Sequence, residues 1–264
     1  MIATPRSATT ICVLRCHEGA MEVLMVRRSE TARFMGGTWV FPGGVVDDVD
    51  GSDRVAALVP GPDSESVRWI AGGLRELVEE VGIWITSDPF TLRVPPGDTA
   101  VYEAAEGRGL TFAGDALTLF AKWTTPPHAA IRFATRFYAV EVPDGLVPDP
   151  DASEIDAAEW MRPAEAAAQA ASGDLLTPFP TRRTLEQLAA HSTPAAFLTH
   201  VGSLPEVPAY EPRVRIDADG ALEILIPGDP GFAEIGDEPL DRESLLRAAN
   251  RSREMGRPIP ELGN

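Results

Sequence analysis

The sequence predicts an α/β fold: a mixed sheet flanked by helices, continued by a C-terminal hairpin and helix. Three observations carry this. β-forming runs at Thr9–Cys16 and Glu22–Arg28 surround the turn His17-Glu18-Gly19-Ala20, the pattern of a hairpin. Val67, Ile70, Leu74, Leu77, Val78 and Val81 then recur at helical spacing, which gives a long helix one buried face. Beyond them, strand-like and helical stretches follow again, with no internal repeat.

Trp39–Phe41 is a short strand running into Pro42-Gly43-Gly44, a glycine turn where backbone can approach a ligand closely. Residues 51 to about 64 are rich in Gly, Pro, Asp and Ser and read as a surface loop. Gly82 ends the long helix as its left-handed closing residue. Gly72-Gly73 is unusual before Arg75, since a glycine inside a helix costs about 1 kcal/mol relative to alanine. Either the helix begins late or something packs closely there. Thr118–Thr124 and Phe133–Val142 form a further strand pair around Pro126-Pro127, and Asp156–Trp160 another short strand. Pro163–Ala171 is an Ala-rich helix opened by proline and closed near Gly173; Thr184–His191 and Pro194–Val201 complete a helical cluster. Val214–Ile216 and Leu222–Ile226 flank Asp217-Ala218-Asp219-Gly220 as a hairpin, and Asp241–Met255 reads as a polar terminal helix. The expected organisation is one domain over 1–204 and an extension over 205–264, packed on the core or on a second subunit of a homodimer.

A chain of 264 residues can bury a full core. Its net charge of −17, from 40 acidic and 23 basic residues, argues against nonspecific nucleic-acid binding and against anionic membrane surfaces. No long apolar run exists and Met1–Thr10 lacks a signal-peptide core, so a cytoplasmic location is expected. Cys12 and Cys16 fall on one face of one strand about 13 Å apart, too far to bridge, and read as buried thiols.

The chemistry-bearing stretch is Arg75-Glu76-Leu77-Val78-Glu79-Glu80-Val81-Gly82-Ile83. On a helix, Glu76, Glu79 and Glu80 share one face within roughly 5–6 Å of each other. Taken alone, a Glu-rich helix face is most often merely solvated. Here the opposite face is buried, so the orientation is fixed, and a hard divalent cation, Mg²⁺ or Mn²⁺, would relieve the repulsion.

With Gly44 and Asp50 upstream, this run resembles the box of the Nudix hydrolases. The resemblance implies an α/β/α sandwich and metal-dependent hydrolysis of a diphosphate. It implies Glu76, Glu79, Glu80 and the Gly44 carbonyl as metal ligands, and Arg75 as the residue that orients Glu76. The general base would be Glu76 or a carboxylate outside the box. Glu154, six residues before Trp160, is the candidate for that outer carboxylate; by itself it reads as a solvated acid among Asp149, Asp151, Asp156 and Glu159. Two departures stand out. Asp50 replaces the commoner Glu, and twenty-four residues separate it from Arg75, far more than the family's usual spacing. Loop closure entropy grows slowly with length, so such an insert is tolerable.

For the substrate, Arg33, three residues, Gly37, three residues and Phe41-Pro42-Gly43-Gly44 resemble part of the pattern in Nudix enzymes that cleave coenzyme A. Trp123-Thr124-Thr125-Pro126 and Arg132-Phe133-Ala134-Thr135-Arg136-Phe137 resemble the acyl-CoA diphosphatase branch with long box inserts. That resemblance implies CoA or acyl-CoA as substrate, split into 3′,5′-ADP and a phosphopantetheine. In a chain this acidic, Arg27, Arg28, Arg33, Arg132 and Arg136 are a local excess of guanidinium suited to phosphate, although any one of them could equally be paired with a nearby acid. Phe34, Trp39 and Phe137 could stack adenine, or belong to the core. The alternatives are ADP-ribose, NADH or nucleoside triphosphates as substrates, and a non-catalytic ligand-sensing module. The intact box carboxylates argue against the last.

Overall fold

A computed structural model describes residues 2–32, 35–61, 63–97, 99–127, 129, 131–236 and 240–255. The chain divides into two compact units. The larger comprises Ala8–Phe120 and Arg136–Val207; the smaller comprises Met1–Ser7, Ala121–Thr135 and Pro208–Asn264.

Strands β1 (Arg6–His17) and β2 (Ala20–Arg28) form the expected antiparallel hairpin, with Leu14 opposite Val23 and His17 opposite Ala20. Glu18 and Gly19 turn it with φ of 50° and 78°, the left-handed pair that a two-residue hairpin turn needs. β2 also pairs with β3 (Trp39–Val40), and β4 (Gly43–Val45) returns to β1 with Gly44 opposite Thr9.

The segment expected as a surface loop contains a helix, α1 (Asp53–Leu58), whose first turn is capped by the Ser52 hydroxyl. Val55 and Val59 are fully buried. With Leu58 they make a short apolar stripe at helical spacing, which outweighs the Gly and Pro around it.

Helix α2 (Ser64–Val81) is capped by Asp63, which accepts from Ser66 N at 2.8 Å, and is closed by left-handed Gly82 at φ 69°. It begins well before Gly72-Gly73, so close packing is the reason for those glycines. A Cβ on Gly72 would lie 2.8 Å from Asp50 Oδ2, and one on Gly73 would lie 3.0 Å from both Ile11 Cδ1 and Thr9 Oγ1. The buried face (Ile70, Leu74, Leu77, Val78, Val81) packs with Ile11 and Val13 of β1 and Leu24 and Val26 of β2. Each such side chain contributes about 1.5–3 kcal/mol relative to exposure, so the helix orientation is firmly set.

Downstream come the short ladder β5 (Ile83–Trp84) and β6 (Phe90–Thr91), then helix α3 (Ala100–Arg108). Strands β7 (Thr118–Thr124), β8 (Phe133–Glu141) and β9 (Ile155–Met161) follow, then helices α4 (Pro163–Ser172), α5 (Phe179–Ala189) and α6 (Pro194–Gly202). The strand order is β7-β8-β1-β2-β3, with β4 on β1 and β9 on β2. β9 runs antiparallel to β2 and shifts register between Arg27 and Arg28, which leaves Asp156 as the bulged residue.

In the smaller unit, β10 (Ala209–Tyr210) adds parallel to β7. β11 (Arg213–Ile216) and β12 (Leu222–Leu225) form the expected hairpin, and α7 (Arg242–Glu254) the expected helix. Val214, Leu222, Leu245, Ala248 and Ala249 make its core.

Cys12 is buried as expected, but Cys16 is exposed. It lies beside the hairpin turn, where the cover of the sheet ends. Among the described residues, no helix is long and apolar enough to cross a membrane.

Candidate active site

The site is built around Arg75, which α2 places beneath β4. Arg75 is nearly buried and engages everything around it. Its Nε donates to Asp50 Oδ1 at 3.0 Å, and Nη2 to Asp50 Oδ2 at 3.1 Å and to the Val45 carbonyl at 2.9 Å. Its Nη1 donates to Glu76 Oε1 at 3.1 Å and to Glu79 Oε2 at 2.8 Å. Burial works against the charge of Arg75, but Asp50, Glu76 and Glu79 outweigh it and its pKa is raised, so the group stays a cation.

Asp50, fully buried, holds Arg75 from behind. It also accepts from Tyr102 Oη at 2.6 Å and from Asp47 N at 2.8 Å. Burial, together with the charge and hydrogen bond of Asp50, raises the Tyr102 phenol, so Tyr102 acts as a donor. The anchor of the cluster thus comes from before the inserted segment and from α3.

Glu76 lies against Gly44, where an added Cβ would fall 2.4 Å from the Glu76 carboxyl carbon. Glu80 is buried and accepts from Gly43 N at 3.0 Å. Burial pushes Glu76 up to about 7; Arg75 opposes this, while Glu79 and Glu154 add repulsion. Burial likewise raises Glu79 and Glu80, and Glu154 adds to both shifts. One buried acid, Glu80, and two half-buried ones, Glu76 and Glu79, crowd together with a fourth acting on all of them, an all-oxygen set of the kind that hard divalent cations favour. Among the described residues, no three His, Cys, Asp or Glu side chains converge on a single point. Glu76 and Glu79 both turn to Arg75 instead.

Glu154 sits on an exposed turn, yet that turn is bound to the end of α2. Asp149 N donates to the Val81 carbonyl at 2.9 Å and Asp151 N to the Glu80 carbonyl at 2.8 Å. These are orphan carbonyls of the last helical turn. Ser29 N, just past β2, donates to the Glu154 carbonyl at 2.8 Å.

The chain matches the NUDIX domain family over residues 4–177. It belongs to the Nudix family. A Caenorhabditis elegans protein named "Putative nudix hydrolase 7" is 34% identical over 198 residues, which cover 69% of this chain and 60% of that protein. The present chain thus spans about three fifths of that relative's length. A crystal structure of a NUDIX hydrolase from Alicyclobacillus acidocaldarius superposes with a TM-score of 0.65 at 28% identity, covering 75% of this chain and 97% of that one.

Within this Nudix frame the arginines named from sequence separate. Arg28 follows Leu24 and Val26 on the face of β2 turned to α2, and its charge acts on Glu80. Its carbonyl accepts from Gly37 N at 3.0 Å, so Gly37 (φ 75°) fixes the loop next to it. Arg27 points to the opposite face of the sheet and meets Asp156 at 3.9 Å, away from the Nudix glutamates. Arg136 pairs with Glu65 and lies 4.3 Å over Trp69. Trp69 precedes Glu76 by about 10 Å along the helix. Arg132 is in the smaller unit, where it donates to the carbonyls of Thr125 and Ala3 and to Glu211, a structural role in place of the phosphate contact expected. Phe41 is 3% exposed and offers no open face to a ligand, and Phe137 is a core residue set edge-on to Phe120. Arg33 and Phe34 lie outside the described residues.

Sequence reasoning missed Tyr102. Its helix, Ala100–Arg108, has only a weak apolar stripe and carries Gly107, so nothing in the local pattern marks its hydroxyl.

Proposed function

We propose that this protein is a metal-dependent hydrolase of a diphosphate bond, with CoA or acyl-CoA as substrate, releasing 3′,5′-ADP and the (acyl-)phosphopantetheine. The observation that carries the reaction is the set of crowded, burial-raised carboxylates of Glu76, Glu79 and Glu80 on one helix, against the glycine backbone of β4. Glu76, Glu79, Glu80 and the Gly44 carbonyl would hold Mg²⁺ or Mn²⁺, with Glu76 and Glu79 swinging from Arg75 to do so. Such an ion supplies charge neutralisation for the diphosphate and makes a water more acidic. Arg75, locked by Asp50 and Tyr102, orients Glu76 and compensates its charge. Glu154, on its exposed turn and in electrostatic reach of all three acids, would take a proton from the attacking water. Arg28 supplies positive charge at the same face for a substrate phosphate.

The CoA assignment rests on the Phe41-Pro42-Gly43-Gly44 stretch and its spacing from Gly37 and Arg33. The family relation supports a small-molecule diphosphate without naming it.

The test is incubation with Mg²⁺ and CoA, acetyl-CoA, a long-chain acyl-CoA, ADP-ribose, NADH and dGTP, with products resolved by chromatography. 3′,5′-ADP confined to the CoA compounds is the expected result. AMP from ADP-ribose or NADH would keep the reaction and discard CoA, and no product from any compound would overturn the enzymatic reading.

A further inference from the structure

The four carbonyls at the C-terminal end of α2 are all accounted for, and the way they are satisfied singles out one side chain. Val78 accepts from Gly82 N at 2.9 Å, Glu80 from Asp151 N at 2.8 Å and Val81 from Asp149 N at 2.9 Å. Glu79 accepts from Arg93 Nη1 at 2.9 Å. The same Nη1 reaches the Asp149 carbonyl at 3.2 Å, and Nη2 pairs with Asp151 Oδ2 at 3.1 Å. Asp151 in turn shapes the turn that ends at Glu154: its Oδ1 accepts from Ser153 N at 3.0 Å and Ser153 Oγ at 2.8 Å, and its carbonyl accepts from Glu154 N at 2.9 Å.

We propose that Arg93 is a positioning residue for Glu154: its planar fork fastens the 149–154 turn to the end of the box helix and so fixes the Glu154 carboxylate relative to Glu76, Glu79 and Glu80. A guanidinium suits this task because its rigid donors bind several acceptors at once, which an ammonium cannot do with the same geometry. Glu154 is exposed and its backbone has two anchors, Ser29 N on its carbonyl at 2.8 Å and the Asp151 carbonyl on its N at 2.9 Å, and Arg93 holds the second through Asp151. The inference rests on the proposed metal site and deepens it.

The test is a double-mutant cycle on the full chain read in Mn²⁺ affinity by electron paramagnetic resonance, with kcat and KM alongside. Removing a cation close to a cation site strengthens Mn²⁺ binding by charge alone. Displacing Glu154 weakens it. Arg93→Met is therefore expected to weaken Mn²⁺ binding, and to lower kcat by up to roughly a hundredfold with little change in KM, the scale of a misplaced catalytic group. Adding Arg93→Met to Glu154→Gln is expected to cost nothing further. Arg93→Lys keeps the charge but not the fork, is the safer variant for folding, and should also weaken Mn²⁺ binding. Unchanged or tighter Mn²⁺ binding in the Arg93 variants, or losses that multiply with Glu154→Gln, would overturn the positioning role and leave the metal site standing. A wild-type protein that binds no Mn²⁺ would overturn both.

Discussion

Asp50 and Arg75 lie twenty-five positions apart in sequence and are joined by two hydrogen bonds of 3.0 and 3.1 Å, Nε to Oδ1 and Nη2 to Oδ2. Between them runs the inserted segment, yet both groups are buried and Tyr102 closes the pair from α3. The insert therefore leaves untouched the contact that fixes Arg75, and through Arg75 the positions of Glu76 and Glu79.

Asp50→Ala should destabilise the protein by about 3–5 kcal/mol, because it leaves a buried guanidinium without its counter-charge. Tyr102→Phe removes one donor from a carboxylate that keeps its others, and should cost about 1–2 kcal/mol. Urea unfolding measures both. Equal and small effects would show that the pair is not the anchor.

Gly72 and Gly44 should respond to alanine in opposite ways. In an ordinary helix interior Gly→Ala stabilises by about 1 kcal/mol. At Gly72 the new Cβ would meet Asp50 Oδ2 at 2.8 Å, an oxygen already held by Arg75 and Asp47 N, so Gly72→Ala should lower Tm. At Gly44 the Cβ would meet the carboxylate end of Glu76, a flexible side chain held by one bond from Arg75, which can turn aside. Gly44→Ala should keep Tm and lose turnover. A stabilised Gly72→Ala, or a fully active Gly44→Ala, would contradict this packing.

Much of this site could be read from the chain. The spacing of Val67 to Val81 fixed which face of α2 is buried, and so which face carries the glutamates. The β1–β2 hairpin followed from its β-formers and turn. What failed depended on contacts between distant residues. Arg27 and Arg28 read as one basic patch, but strand alternation sends them to opposite faces. Arg132 read as a phosphate reader or as the partner of a nearby acid, and only the fold shows that backbone carbonyls and Glu211 occupy its guanidinium. The 51–64 segment read as loop because composition masked the Val55, Leu58 and Val59 stripe. Arg93 and Tyr102 carried no local signal, since their roles arise only where separate segments meet.

Stability should depend on pH through the box acids. Burial holds the Glu76 carboxyl at about 7 against 4.5 for an unperturbed one, and Glu79 and Glu80 are raised too. The folded chain then binds protons more tightly than the unfolded chain, so without divalent metal its stability falls as pH rises from about 4.5 to about 7. A bound metal ion would compete with protons for the same oxygens. Mn²⁺ should therefore raise Tm more above pH 7 than near pH 5.5 (about the middle of that window). Thermal melts at both pH values, with and without Mn²⁺, check this; an equal rise at both would contradict it.

The most direct test of the metal site compares wild type with Glu79→Gln and Glu80→Gln, measuring Mn²⁺ affinity and diphosphate hydrolysis at saturating Mg²⁺ while circular dichroism monitors the fold. Each variant should stay folded, bind Mn²⁺ more weakly and lose about a hundredfold or more in hydrolysis, beyond what outer-sphere changes usually cost. Undiminished hydrolysis in both variants would mean that these carboxylates do not hold the metal, and the central claim would be wrong.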